Sequence, residues 1–145
     1  PLDLWIQDLL DPGDLLIVDE PESHLHPENQ RHIATIMTRL IRSGVRIMCP
    51  THSSLILHQL SNHIIASHAD TEVRTSLGFT EQDVLSPDEV GVYLFEDRDD
   101  GTHVRAIPID SDFGIPEEEF IRVADAIGEE SYRLSEISND ETVGV

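Results

Sequence analysis

At 145 residues, with 29 Asp and Glu against nine basic residues and a net charge of −20, the chain suffices for one modest domain. By itself that charge repels a phosphate backbone, so direct nucleic-acid binding by this segment is not expected. All nine basic residues are Arg, and the one cysteine, Cys49, lies in an apolar run, which excludes a disulfide framework or a cysteine-built metal site.

The chain starts Pro1-Leu2-Asp3, and Leu2, Trp5, Ile6, Leu9 and Leu10 recur at helical spacing until Asp11-Pro12-Gly13 stops them. A start without Met, inside what reads as the end of a helix, is expected of a piece of a longer protein. Leu15-Leu16-Ile17-Val18 then forms an unbroken apolar run that reads as a strand buried on both faces, as in a parallel sheet. Ile33, Ile36, Met37, Leu40 and Ile41 mark a helix that begins at or just after Pro27 and stops at Gly44. Val45 to Cys49 reads as a second strand closed by Pro50, Ser53 to Leu60 as a short helix, and Ile64-Ile65 as a third strand. Alternating strands and helices at this spacing predict consecutive βαβ units.

After Ala66 the texture changes. Asp70 to Glu89 is polar and reads as an irregular loop or insert. Val90 to Phe95 and Val104 to Ile109 read as two strands around the turn signal Asp99-Asp100-Gly101. Pro116 followed by three Glu starts a last helix, with Phe120, Val123, Ala124 and Ile127 as its apolar face, and Ser138 to Val145 reads as a frayed tail. No stretch approaches the roughly 20 apolar residues of a membrane span, and the N-terminus lacks a signal-peptide layout. Together with the single cysteine, this fits a cytoplasmic setting.

The chemistry concentrates at two places. The first apolar strand ends in Asp19-Glu20, two carboxylates at the carboxyl edge of a parallel sheet, where ligands of α/β folds bind. Neighbouring residues on a strand point opposite ways, so one acid can hold Mg²⁺ through its water shell while the other polarises an attacking water. Pro21-Glu22-Ser23-His24-Leu25-His26-Pro27 follows directly, and Thr51-His52-Ser53 lies just past the second strand, at the same predicted edge. A histidine there can donate to a phosphate oxygen. His24 and His26, with Glu22 and Glu28, are a weaker candidate for Zn²⁺; His58, His63 and His68 show no ligand-like spacing.

Asp19-Glu20-Pro21-Glu22-Ser23-His24-Leu25-His26-Pro27 and Thr51-His52-Ser53 resemble the second half of an ABC-type P-loop ATPase head. The likeness is to the group of SMC, RecF and OLD-like ATPases (AAA15/AAA21), dense over Asp14 to Ser54 and weaker beyond Ala66. The fold class it implies is α/β: the parallel-sheet C-terminal half of a P-loop ATPase domain, followed by a β-hairpin and a C-terminal helix. It implies residues 1–69 as ATPase core, 70–89 as a variable insert, 90–137 as hairpin and helix completing the domain, and 138–145 as a flexible tail. It also implies ATP and Mg²⁺ as cofactors, Asp19 as the Walker B aspartate that holds Mg²⁺ through water, and Glu20 as the general base. Ser23 to His26 becomes the D-loop, which places Ser23 and His26 near nucleotide across an ATP-sandwiched homodimer, and His52 becomes the γ-phosphate-sensing histidine. Partners implied are that second copy, upstream Walker A and signature segments, and a nuclease or other effector, in DNA maintenance or anti-phage defence.

The likeness has gaps. The Walker A loop requires a Lys, and the chain has none; the signature motif is absent from residues 1–14. The chain alone is therefore expected to be inactive. Two other readings remain: a catalytically dead ATPase-like dimerisation module, against which the intact Asp19, Glu20 and His52 stand, and a transporter ATPase subunit, whose D-loops more often read Ser-Ala-Leu-Asp. Asp97, Asp99 and Asp100 read as a hairpin turn rather than as nuclease ligands.

Overall fold

A computed structural model describes residues 9–140 and, among these, every side chain except those of Glu119 and residues 136–140. The helix expected over Leu2–Leu10 lies almost wholly outside the described residues. Strand β1 (Leu15–Ile17) pairs in parallel with β2 (Arg46–Met48), Leu16 opposite Ile47, and helix α1 (Pro27–Arg42) makes the crossover. The α1 start follows from its sequence: Pro27 pre-sets the first helical φ, and His26 Nδ1 accepts the Glu28 N–H at 3.4 Å. At the far end Gly44 takes φ +93°, and its N–H bonds to the Ile41 carbonyl at 2.9 Å, turning the chain into β2.

Helix α2 (Ser54–His68) packs along α1, with Ala34, Met37 and Ile56 buried between them and Ile33, Ile47, Cys49 and Leu60 around them. Here the expected short helix and third strand are corrected: the helix starts at Ser54, does not break after Leu60 but runs on to His68, and Ile64-Ile65 is helical. Ile56, Leu60 and Ile64 are four residues apart and share one helix face. Ile64 is fully buried with Leu85 and Ile115 in a second cluster, so tertiary burial overrides the strand preference of the β-branched pair.

The expectation of a strand buried on both faces is also corrected. Leu16 and Ile47 turn toward the helices, whereas Leu15, Ile17 and Met48 on the other face are more than half exposed. Within the described residues α1 and α2 cover one face only.

The stretch 70–89 holds a short helix, α3 (Thr71–Ser76), and single 3-10 turns at Glu81–Asp83 and Pro87–Glu89. Strands β3 (Val92–Arg98) and β4 (Gly101–Ile107) form the antiparallel hairpin at the expected turn. Both extend further into that turn than their apolar residues do. Polar pairs support the extension, with Thr102 Oγ1 donating to Asp97 at 2.9 Å. Helix α4 (Glu118–Asp140) includes the first residues of the expected tail, and residues 141–145 lie outside the described ones. Its predicted apolar face does not seal a core: Val123 and Ile127 are more than half exposed.

One polar cluster staples α1 and α2 to the 3-10 turn at Glu81–Asp83. Arg39 Nε donates to Asp83 Oδ1 at 2.7 Å, and Thr80 donates to Asp83 Oδ2 through both N–H (2.9 Å) and hydroxyl (2.6 Å). Fully buried His63 places Nδ1 2.6 Å from the Asp83 carbonyl, and Nε2 faces the Thr35 hydroxyl and the Gln59 amide nitrogen. The Asp83 carbonyl calls for the proton on Nδ1, and the Gln59 NH₂ facing Nε2 favours the neutral ring. Burial is the main cause holding the His63 pKa below its ordinary value, with Arg39 adding to it against the opposing pull of Asp83. A depressed folded pKa means that the unfolded chain takes up the proton first as pH falls. His63 therefore stabilises the fold fully above about pH 6.5, its unfolded pKa, and loses that contribution as pH falls below it. Urea unfolding from pH 7 to pH 5 should show stability dropping with pH in the wild type and a flatter profile in His63→Gln; parallel profiles would refute this role.

Candidate functional site at the carboxyl ends of β1 and β2

The β1–β2 ladder does not stop at the last strand residues. Val18 N–H donates to the Met48 carbonyl and Glu20 N–H to the Pro50 carbonyl, each at 3.0 Å. Those two bonds carry the pairing past the strand ends and bring the segment Asp19–Leu25 against Pro50–Ser53. Glu20 takes φ +44° and His24 φ +65°, both in the left-handed region that L-residues enter at a cost of about 1–2 kcal/mol. The chain thus turns sharply away from the sheet just where the two acids lie.

The turn is held from within. Ser23 N–H donates to the Glu20 carbonyl at 3.0 Å, and its hydroxyl donates to Glu20 Oε2 at 3.2 Å. Across the gap, His52 Nε2 stands 3.9 Å from Glu20 Oε1; the His52 side chain is 89% exposed and that of Glu20 53%. The expected pair is therefore brought together at one open sheet edge. Asp19 is exposed beside Glu20, with no ion pair among the described residues. Its position suits a hard cation held by one carboxylate plus substrate oxygens, the usual way Mg²⁺ is bound. No group of three or more His, Cys, Asp or Glu side chains that could hold a metal occurs among the described residues.

His26 does not face Glu20 or His52 through any described hydrogen bond; it caps α1. Glu28 pairs with Arg31 at 3.5 Å and His32 at 3.8 Å, and Glu22 is directed at Thr51 and His52, so three of the four residues of the Zn²⁺ candidate, Glu22, His26 and Glu28, serve separate local partners.

Glu22 is the residue that sequence reasoning missed. Its Oε2 accepts the Thr51 hydroxyl at 2.8 Å and its Oε1 the His52 N–H at 2.6 Å. Burial would raise its pKa, but the bonds from its own N–H, from His52 N–H and from the Thr51 hydroxyl outweigh burial and hold it below the usual carboxylate range. Only contacts about thirty residues apart reveal this, and no local spacing signals them. Beside it, Cys49 is pushed up to about 11 by burial first and then by the charges of Glu22 and Asp19, which leaves a protonated, unreactive thiol at neutral pH.

Comparison with known proteins meets the chain at this region. The family described as "AAA domain, putative AbiEii toxin, Type IV TA system" matches residues 4–58. Residues 4–58 are thus similar to a P-loop ATPase segment. This segment contains Asp19, Glu20, Glu22, Thr51 and His52, with β1, β2, α1 and the start of α2. Two curated proteins, both named "Cell division ATP-binding protein FtsE", from Streptococcus pneumoniae serotype 2 strain D39 and from strain R6, are similar to this chain. Each is 35% identical over 60 residues, which is 41% of this chain. The chain spans 26% of the length of those relatives. No solved structure matches it with significance. No helix among the described residues is long and apolar enough to cross a membrane.

Proposed function

We propose that the ATPase segment is the Walker B, D-loop and switch-histidine half of a site that binds and hydrolyses ATP. The observation that carries this reading is the juxtaposition of Glu20 and His52, 3.9 Å apart at the carboxyl edge of a parallel strand pair. Glu20 is the general base that orients water toward the γ-phosphate. His52, exposed and beside it, donates a hydrogen bond to a γ-phosphate oxygen as charge shifts in the transition state. Asp19 is the residue to hold Mg²⁺ through water, which neutralises phosphate charge when bound. Ser23 orients the Glu20 carboxylate, and the D-loop from Ser23 to His26 meets its counterpart in a head-to-tail homodimer.

The phosphate cradle comes from outside these 145 residues, because a Walker A loop takes a Lys and the chain has none. Charge stabilisation and positioning supply most of the catalysis of phosphoryl transfer, so half a site should do almost nothing. The matched family's description names a "putative AbiEii toxin, Type IV TA system" and the similar FtsE proteins are named for cell division, so coupling of hydrolysis to DNA maintenance or to anti-phage defence is proposed with it. Phosphate-release assays test the reading. The 145-residue chain alone should release none from ATP, and the longer protein carrying the Walker A segment should release it in the presence of Mg²⁺. Turnover by the chain alone, or none by the longer protein, would sink the proposal.

A further inference from the structure

We propose that Glu22 is a positioning residue for His52: its carboxylate latches the Thr51–His52 backbone and so aims the imidazole at the reacting phosphate. The inference rests on the ATPase reading above and adds to it a residue that acts through His52 without touching nucleotide.

Four observations carry it. Both oxygens of one carboxylate are spent on two successive residues, Oε2 on the Thr51 hydroxyl (2.8 Å) and Oε1 on the His52 N–H (2.6 Å). The Thr51 hydroxyl, having donated its proton to Glu22, accepts the Ser53 N–H at 3.0 Å. Ser53 then caps α2 by accepting the Ile56 N–H at 3.2 Å, and its hydroxyl donates to Gln30 of α1 at 2.6 Å. A continuous hydrogen-bonded path thus runs from Glu22 through the loop into both helices. Finally, the His52 side chain is 89% exposed, with Glu20 at 3.9 Å as its near partner. Packing does not direct this ring, so its aim is inherited from its backbone.

The chemistry of the acceptor is specific. A carboxylate accepts at both oxygens, and the segment offers two donors, an O–H and an N–H. Bonds from such donors to an ionised acceptor are shorter and stronger than neutral ones. A glutamine of the same size accepts at one oxygen and turns an NH₂ toward the other donor, which breaks one arm of the latch while filling the same space.

The experiment is a double-mutant cycle on ATP turnover in the longer protein. Glu22→Gln should lower kcat about tenfold, with KM for ATP within about twofold, since the lost alignment matters in the transition state. His52→Ala should lower kcat at least as far, and Glu22→Gln combined with His52→Ala should be no slower than His52→Ala alone, because Glu22 works through that ring. In ¹H–¹⁵N spectra of the 145-residue chain, the His52 amide should move upfield in Glu22→Gln while the α2 amides stay in place. Should Glu22→Gln perturb the whole spectrum, Thr51→Val, which removes the Oε2 arm of the latch together with the acceptor of the Ser53 N–H, takes its place in the cycle. Single effects that multiply in the double variant, or an unchanged kcat in Glu22→Gln, would overturn the role of Glu22 and leave the ATPase reading intact. A longer protein whose wild type hydrolyses no ATP would overturn both.

Discussion

Glu20→Gln should lower ATP turnover by about 10²–10⁴-fold in the longer protein, the range that a positioned general base contributes. Gln keeps the length and one acceptor oxygen, so ATP binding should survive; what disappears is the ability to take the proton from the attacking water. Local geometry makes the substitution a sharp probe. The Glu20 backbone is fixed by its N–H bond to the Pro50 carbonyl at 3.0 Å, independent of the side chain, and Ser23 Oγ can still donate to the Gln carbonyl oxygen. The fold and the His52 loop should therefore stay where they are. Phosphate release and binding of a fluorescent ATP analogue, measured on one preparation, separate the two effects. Retained turnover would remove Glu20 as base, and joint loss of binding and turnover would point to a mainly electrostatic role.

Gly114→Ala should be the most damaging single methyl added to the hairpin and helix region. Gly114 takes φ +79°, and a Cβ built there would lie 2.4 Å from the Ser61 Cβ, 2.7 Å from its Oγ and 2.8 Å from its Cα. Those atoms include the α2 backbone, which cannot yield as the tip of a flexible side chain would. Two costs add: about 1–3 kcal/mol for overpacking and about 1–2 kcal/mol for the left-handed backbone. The same contact holds the Ile115 N–H against Ser61 Oγ at 2.9 Å and carries Ile115 into the core with Ile64 and Leu85. A shift at Gly114 would loosen that whole cluster. Denaturant unfolding should show the loss as a lower midpoint with little change in slope; a midpoint near wild type would mean that the 110–115 turn relaxes without cost.

The strand–crossover–strand unit and the hairpin turn were legible in the sequence because their signals are local. An apolar run ending in acids, Pro27 at a helix start and Asp99-Asp100-Gly101 each act within a few residues. The Ile64-Ile65 pair misled for the converse reason. Two β-branched residues next to each other carry no period, and only Leu85 and Ile115, from distant segments, decide that a helix face buries Ile64. Within the candidate site, the placement of Asp19, Glu20 and His52 at one sheet edge could be read from strand ends, whereas the roles expected of them rest on the family resemblance. Glu22 could not be read in this way, since its meaning lies in a contact with residues 29 and 30 positions away. His26 illustrates the opposite case: a motif residue whose described contact is with the helix that it starts.

The β1–β2 face left open among the described residues has a colloidal consequence. Leu15, Ile17 and Met48 offer an oily patch on a body whose net charge is −20. In dilute buffer the charge keeps copies apart, and the patch stays wet. At about 1 M salt the Debye length shrinks to about 3 Å, repulsion no longer reaches across the gap, and the patch is free to find another like it. For this chain in isolation, ionic strength is therefore a control on solubility that runs opposite to its usual effect on salt-bridged assemblies.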